Sequence, residues 1–266
     1  NLGCDDNSVS AITEALSQYS TALFLEDDVV PNPYYYDRMC RLLEAYRPFQ
    51  KVFSVGAYAN FPGGVDELVS EDFMVSRRIF SWGFGTWADR WNSINIEGLK
   101  TAYNPFGKFC NVPVTLQTKF TITNQFFLEK NNQLDWCISM TLASLYQDQI
   151  HITPMVSFIK NIGFGHPESK TYRGAEADWV NANYDPHACP NTLPTTLELI
   201  EPLATVFDGV AVAEYLKSHS SIWLDIPDLW ELFKQYPTWS SRVTFAKLFA
   251  QQFPTLARRW RAGLPG

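Results

Sequence analysis

Three adjacent carboxylates, Glu26-Asp27-Asp28, close a short apolar run, Thr21–Leu25. Like charges this close raise one another's pKa unless a cation offsets them. A hard divalent ion, Mg2+ or Mn2+, takes one or two carboxylates and fills its remaining positions with water and substrate phosphates. The plainer alternative is an acidic helix N-terminus, stabilised by the dipole of a helix after Pro33. A second group is aromatic. Trp82, Trp87 and Trp91 stand at spacings of five and four, with Gly83 and Gly85 between the first two. Glycines let a ligand approach the backbone, so Trp82 or Trp87 could stack on a sugar. The same spacing is also a core pattern for a helix beginning near Thr86, and Trp91 is expected in the core. Arg77 and Arg78 precede this segment, and Lys170 and Arg173 follow His166. All four are cations able to pair with phosphate. His151, His187 and His219 show no partner pattern and are expected to be structural.

Elements must carry these residues to one place. Val9, Ile12, Leu16 and Tyr19 recur at helical spacing, with Asn7 or Ser8 as N-cap. Thr21–Leu25 reads as a buried strand, Met39 to Tyr46 as the next helix, and Lys51–Tyr58 as another strand. Phe73–Phe80 is extended, Lys100–Thr118 a loop, Asn124–Tyr146 helical, Ile150–Ile159 extended, and Gly163–Gly174 a loop. Helices alternating with strands predict an α/β fold with a mixed, mainly parallel sheet. Pro186, Pro190 and Pro194 then punctuate a linker, so residues 1–185 are expected to form the main domain and 186–266 a helical extension.

Composition narrows the class. The 266 residues are 46% hydrophobic and 18% charged, enough to build a sizeable core. The net charge of −7 argues against a nucleic-acid binder, which needs a basic footprint. Five scattered cysteines without a CxxC pair fit reduced thiols better than a disulfide framework or a zinc site. The aromatic share of 15% is more than core filling usually requires; it suits a sugar-binding cleft, or equally aromatics that simply pack well. Arg242, Lys247, Arg258, Arg259 and Arg261 end the chain with no acidic residue among them, interleaved with Phe245, Phe249, Phe253 and Trp260. Residues 242–261 therefore read either as a basic helix lying on an anionic membrane or as one docked on the body.

Thr21–Tyr36 resembles the DxD-type strand of GT-A glycosyltransferases, especially a group of bacterial polysaccharide-type sugar transferases. The likeness extends to the Asn-Leu-Gly-Cys segment Asn1–Cys4 and to Trp82-Gly83-Phe84-Gly85-Thr86-Trp87. It continues through the Asp135-Trp136 helix start and the Asn161–Phe164 loop. A remoter similarity is to N-acetylglucosaminyltransferase I. The resemblance implies transfer of a hexose or N-acetylhexosamine from a nucleotide-diphosphate sugar, UDP-sugar above all, to a glycan or lipid-linked saccharide. By the same resemblance Asp28 ligates the metal, while Asp27 and Glu26 position the donor. His166 completes the metal shell or, with Arg77, Arg78, Lys170 and Arg173, contacts the diphosphate; equally it is an ordinary exposed loop histidine. An inverting reaction needs a general base; Asp135 matches that position, although Asp is equally an ordinary helix N-cap. Glu129 is the fallback.

The family pattern also sets a base-gripping strand ahead of Asn1, so this stretch is expected to be a fragment whose sheet lacks a neighbour on one side. A cytoplasmic location, with peripheral contact at the inner membrane face, follows from the family and the basic C-terminal segment. Two other functions remain open: a carbohydrate-binding relative without activity, and a glycoside hydrolase using two carboxylates across a cleft.

Overall fold

The computed structural model describes residues 3–60, 69–77, 79–94, 136–166, 174–197, 230, 233–234 and 239–262. The chain divides into two compact units, one of residues 1–99 and 136–202, the other of residues 100–135 and 203–266. In the first, α1 (Gly3–Gln18) leads to β1 (Thr21–Phe24), β2 (Val29–Pro31) and α2 (Tyr35–Tyr46). Then come β3 (Val52–Gly56), β4 (Phe73–Ser76), β5 (Phe84–Trp87) and a single helical turn, α3 (Ala88–Trp91). Helix α4 (Trp136–Tyr146), β6 (Ile150–Pro154) and β7 (Ile159–Asn161) follow among its described residues. The second unit contributes α5 (Trp239–Arg261).

Five strands form one sheet in the order β1-β5-β3-β6-β4, and β2 pairs with β7 in a separate ladder. The sheet is mixed, but the expected parallel majority is absent. Among the described strands only β3 and β6 pair in parallel; β1–β5, β5–β3 and β6–β4 are antiparallel. The reason lies in the Trp-Gly segment. The helix expected near Thr86 opens at Ala88, while residues 84–87 before it form a strand inserted between β1 and β3, which remain parallel to each other across it. Gly85 permits this insertion, because a Cβ there would lie 2.7 Å from the Leu23 side chain and 3.2 Å from that of Leu43.

Period-two alternation divides the core between the two faces of the sheet. Leu23 and Trp87 face α2, joining Met39, Leu42, Leu43 and Tyr46 with Val55, Ile152 and Phe158. Ala22, Phe24 and Phe84 face α1 and α4, joining Ile12, Leu16, Phe53, Trp91, Trp136 and Met140. Strand β1 is an edge among the described strands, and all four of its residues are only half-buried.

Residues 186–197, expected as a linker, are fastened to the first unit. Asn32 Nδ2 donates to the Ala188 carbonyl at 2.8 Å, and Arg38 Nη1 to Asn191 Oδ1 at 2.6 Å. Asp72 Oδ2 accepts from the Asn191 and Thr192 amides, both at 2.7 Å. Cys40, Cys137 and Cys189 are reduced thiols outside any disulfide. No described helix is long and apolar enough to cross a membrane.

Among the buried polar groups is an imidazole. His151 on β6 is fully buried, with Ser54 Oγ 2.8 Å from Nδ1 and Ser144 Oγ 3.1 Å from Nε2. Ser144 donates its hydroxyl proton to the Thr141 carbonyl at 2.8 Å, so its oxygen accepts from His151 Nε2–H. Ser54 then donates to Nδ1, which fixes a neutral imidazole. Burial, then the nearby Arg77 charge, lower the His151 pKa to about 3. The native state thus refuses a proton that the unfolded chain takes up near pH 6.5. Stability is expected to be full above pH 6.5 and to fall by about 1.4 kcal/mol per pH unit as acidity moves toward pH 3. Urea denaturation at pH 7.0 and 5.5 checks this, and His151→Leu removes that part of the slope.

Candidate functional site

The register separates the two ends of the sheet. Phe24, Phe84, Gly56 and Pro154 lie at one end; Thr21, Trp87, Val52 and Ser76 lie at the other. The carboxylates follow Phe24, so they project from the carboxyl ends of β1, β3 and β6, where ligands collect in open α/β sheets.

A tight turn carries them. The Val29 amide donates to the Glu26 carbonyl at 3.2 Å, and the chain then enters β2. Val29 pairs with Asn161 on β7, and the Ile162 amide donates to the Asp28 carbonyl at 2.8 Å. Two segments singled out in the sequence, the acidic turn and the Asn161–Phe164 loop, therefore meet. Gly163 makes the meeting close: a Cβ there would overlap the Asp28 carboxylate, 2.8 Å from its Cγ. The loop is shaped from within, the Gly163 amide donating to Asn161 Oδ1 at 2.9 Å and the His166 amide to the Gly163 carbonyl at 3.4 Å. Gly165 takes a left-handed φ of 71° between them.

Asp28 is half-buried and its Oδ1 has no hydrogen-bond partner. Burial raises its pKa above the ordinary carboxylate value, and the charge of Asp27 raises it further; the Asn161 amide and its own backbone N–H pull it partly back. That amide lies near enough to favour the ion without forming a well-aligned hydrogen bond, for Asn161 Nδ2 is itself unpartnered. An orphaned oxygen on a desolvated carboxylate beside a second carboxylate is the environment a hard cation relieves. Glu26 is half-buried, Asp27 and His166 are exposed, and no three His, Cys, Asp or Glu among the described residues cluster into a full ligand set. Mg2+ and Mn2+ do not demand one, because waters and phosphates supply most of their shell.

An aromatic wall adjoins this loop. The rings of Trp82 and Trp179 stack at 6.0 Å and 7°, and Phe164 meets each edge-on at 6.1 Å. Trp82 is 7% exposed, so it supports the wall from behind, while Trp179 is 44% exposed and presents its ring to solvent. Tyr58 Oη donates to the Val180 carbonyl at 2.8 Å, and Asn181 Nδ2 to the Asn161 carbonyl at 2.9 Å. In return Asn181 Oδ1 accepts from the Asn161 amide at 3.0 Å. These bonds pin residues 179–181 against both the wall and the acidic loop.

Other expected residues lie elsewhere. Trp87 is 1% exposed and carries the Arg90 guanidinium 4.6 Å over its ring, so it packs rather than stacking on a sugar. Trp91 is in the core, donating from Nε1 to Thr13 Oγ1 at 3.0 Å. Arg77 follows Ser76 at the opposite end of the sheet from Asp28. Its buried guanidinium pairs with Asp148 at 2.5 Å and donates to the Gln149 carbonyl at 3.2 Å. It is committed there and is not at the acidic end. Arg78, Asp135, Lys170, Arg173 and Glu129 lie outside the described residues. Trp136, which follows Asp135, packs on Phe84 at the acidic end, with ring centroids 6.2 Å apart. Sequence reasoning missed Trp179 and Asn181, because the irregular stretch 174–185 has no period to read, and it took Tyr58 only as the end of a strand. The lone clue was the aromatic excess.

Comparison of the sequence with protein-family models and with curated proteins finds no match to either.

Gly163→Ala is expected to destabilise the fold by about 1–3 kcal/mol through overpacking. Most of that cost should vanish in an Asp28→Ala background, and a double-mutant cycle by chemical denaturation measures the coupling.

Proposed function

We propose that this chain is a GT-A-type, metal-dependent glycosyltransferase that moves a hexosyl or N-acetylhexosaminyl group from a nucleotide-diphosphate sugar to a saccharide acceptor. The observation that carries the reading is the juxtaposition of Asp28, with its orphaned Oδ1, and the Asn161–His166 loop at the carboxyl ends of three co-directional strands. Asp28 would hold the divalent cation, with Asp27 adding charge and His166 reaching in from the loop. When bound, Mn2+ or Mg2+ neutralises charge on the departing diphosphate.

The chain's own groups do the rest. Glu26 and Asp27 orient the donor, while Lys170, Arg173 and Arg78 are the cations left to meet phosphate once Arg77 is committed to Asp148. Trp179 offers a flat, rigidly held face for a pyranose of the acceptor, taking the part expected of Trp82 and Trp87. Asp135 takes the proton of the attacking hydroxyl, on the face opposite the leaving group. Its neighbour Trp136 anchors the start of α4 at the acidic end.

The reading is tested by titrating the protein calorimetrically with UDP, with and without Mn2+, beside Asp28→Asn. Metal-dependent binding should weaken at least tenfold in the variant, in line with loss of a first ligand to the ion. Affinity for the ion should also fall as pH drops toward the raised Asp28 pKa, at higher pH than for an ordinary carboxylate. Absence of UDP binding under all conditions overturns the proposal. The exposed Trp179 ring also suits a sugar-binding relative without transfer, which would bind saccharides but show no metal-dependent UDP binding. Trp179→Ala is expected to leave UDP–Mn2+ affinity unchanged while lowering acceptor affinity roughly tenfold, the worth of one aromatic contact. Kinetics with a transferring donor–acceptor pair would show this as a raised acceptor KM.

A further inference from the structure

We infer that α5 is a membrane-surface helix that docks flat on an anionic phospholipid bilayer. The helix runs 23 residues, Trp239–Arg261, or roughly 35 Å at 1.5 Å per residue. At about 100° per residue, Trp239, Val243, Phe249, Phe253 and Trp260 fall within one arc of about 120°. All five are exposed, Trp239 to 80%, Trp260 to 78% and Phe253 to 56%. The helix has also buried Phe245, which lies outside that arc, so the exposed stripe is additional to whatever inner contact the helix makes. An exposed apolar stripe of this width, even interrupted by Arg242, is costly on a water-facing helix unless something covers it.

Charge selects the occupant. Lys247, Arg258 and Arg261 are exposed along one margin of the stripe, and Arg242 stands within it, its guanidinium 5.2 Å over the Phe233 ring. No acidic residue occurs from Trp239 to the end of the chain, although the whole protein carries −7. A second copy of the same helix would bring cations against cations, whereas an anionic headgroup layer meets them with opposite charge while the acyl boundary takes the aromatic rings. Tryptophans at both ends suit this placement, each ring having an apolar body and one polar N–H for the headgroup level. The helix is too polar to cross the bilayer. It lies on the surface.

The experiment is flotation of the full chain with vesicles of phosphatidylcholine alone and of phosphatidylcholine with 30% phosphatidylglycerol. Binding is expected only to the anionic vesicles, weakening as salt rises from 50 to 500 mM. Reversing Lys247 and Arg258 to Glu should lower partition by at least about fivefold per cation. Phe253→Glu should reduce it at least as much; that side chain is exposed, and an unchanged near-UV circular dichroism spectrum shows the fold intact. Salt dependence in the native chain needs no variant. Equal binding to both vesicle types, or no binding to either, overturns the inference. So does a dimer in gel filtration that Phe253→Glu dissociates, which would make the stripe an interface between copies.

Discussion

A single backbone hydrogen bond, from the Ile162 amide to the Asp28 carbonyl, ties together parts of the chain more than a hundred residues apart. It ends the short β2–β7 ladder, and the placement of every group around Asp28 follows from it. With that register fixed, Gly163 must be a glycine, Asn161 must turn its amide toward the carboxylate, and Phe164 must fall beside Trp82 and Trp179. A slip of one residue would reverse the facing of each side chain. The site therefore depends on backbone pairing before it depends on any charge.

The sheet behind it is built for rigidity. Strands β3, β4, β5 and β6 are almost wholly buried, and the buried imidazole of His151 is satisfied on both nitrogens by serines from two elements. At that same far end Arg77, Asp148 and Lys51 form a linked ion group, in which the hydrogen bond from Arg77 leads in holding the Asp148 carboxyl below its ordinary pKa. The two poles of the sheet thus treat carboxylates in opposite ways. Asp148 is neutralised by cations already present, whereas Asp28 is desolvated and left beside another negative charge.

How much was legible depended on the kind of signal. The amphipathic periods of α1 and α2 and the apolar runs of β1, β3 and β6 located those elements, because burial of one face writes a period into the sequence, but not all their ends: α1 begins at Gly3, so Asn7 and Ser8 lie inside it rather than capping it, and β6 stops at Pro154. The acidic turn and the Asn161 loop were legible as motifs, but their contact was not, since strand pairing leaves no local mark. Strand β5 was hidden for a physical reason: Gly85, needed for close approach to Leu23 and Leu43, and Gly83 just before the strand gave it the look of a flexible ligand wall. Arg77 shows the converse. A cation near a motif in the sequence was carried to the other end of the sheet by one strand. Residues 186–197 looked like a linker because prolines disrupt any period, yet Asp72 and Asn32 hold their backbone by its own amides and carbonyls.

The half-buried edge strand β1 and the carboxylates that end it also bear on how the chain is made. During synthesis at about 5–20 residues per second, β1 emerges several seconds before β5 can pair beside it. For that interval Thr-Ala-Leu-Phe-Leu is an unpaired apolar segment with strong strand character, the kind that recruits neighbouring nascent chains. Glu26, Asp27 and Asp28 stand immediately after it as gatekeeping charges. The negative charge that burial makes costly at Asp28 in the folded protein is, on the ribosome, part of what keeps this strand waiting alone.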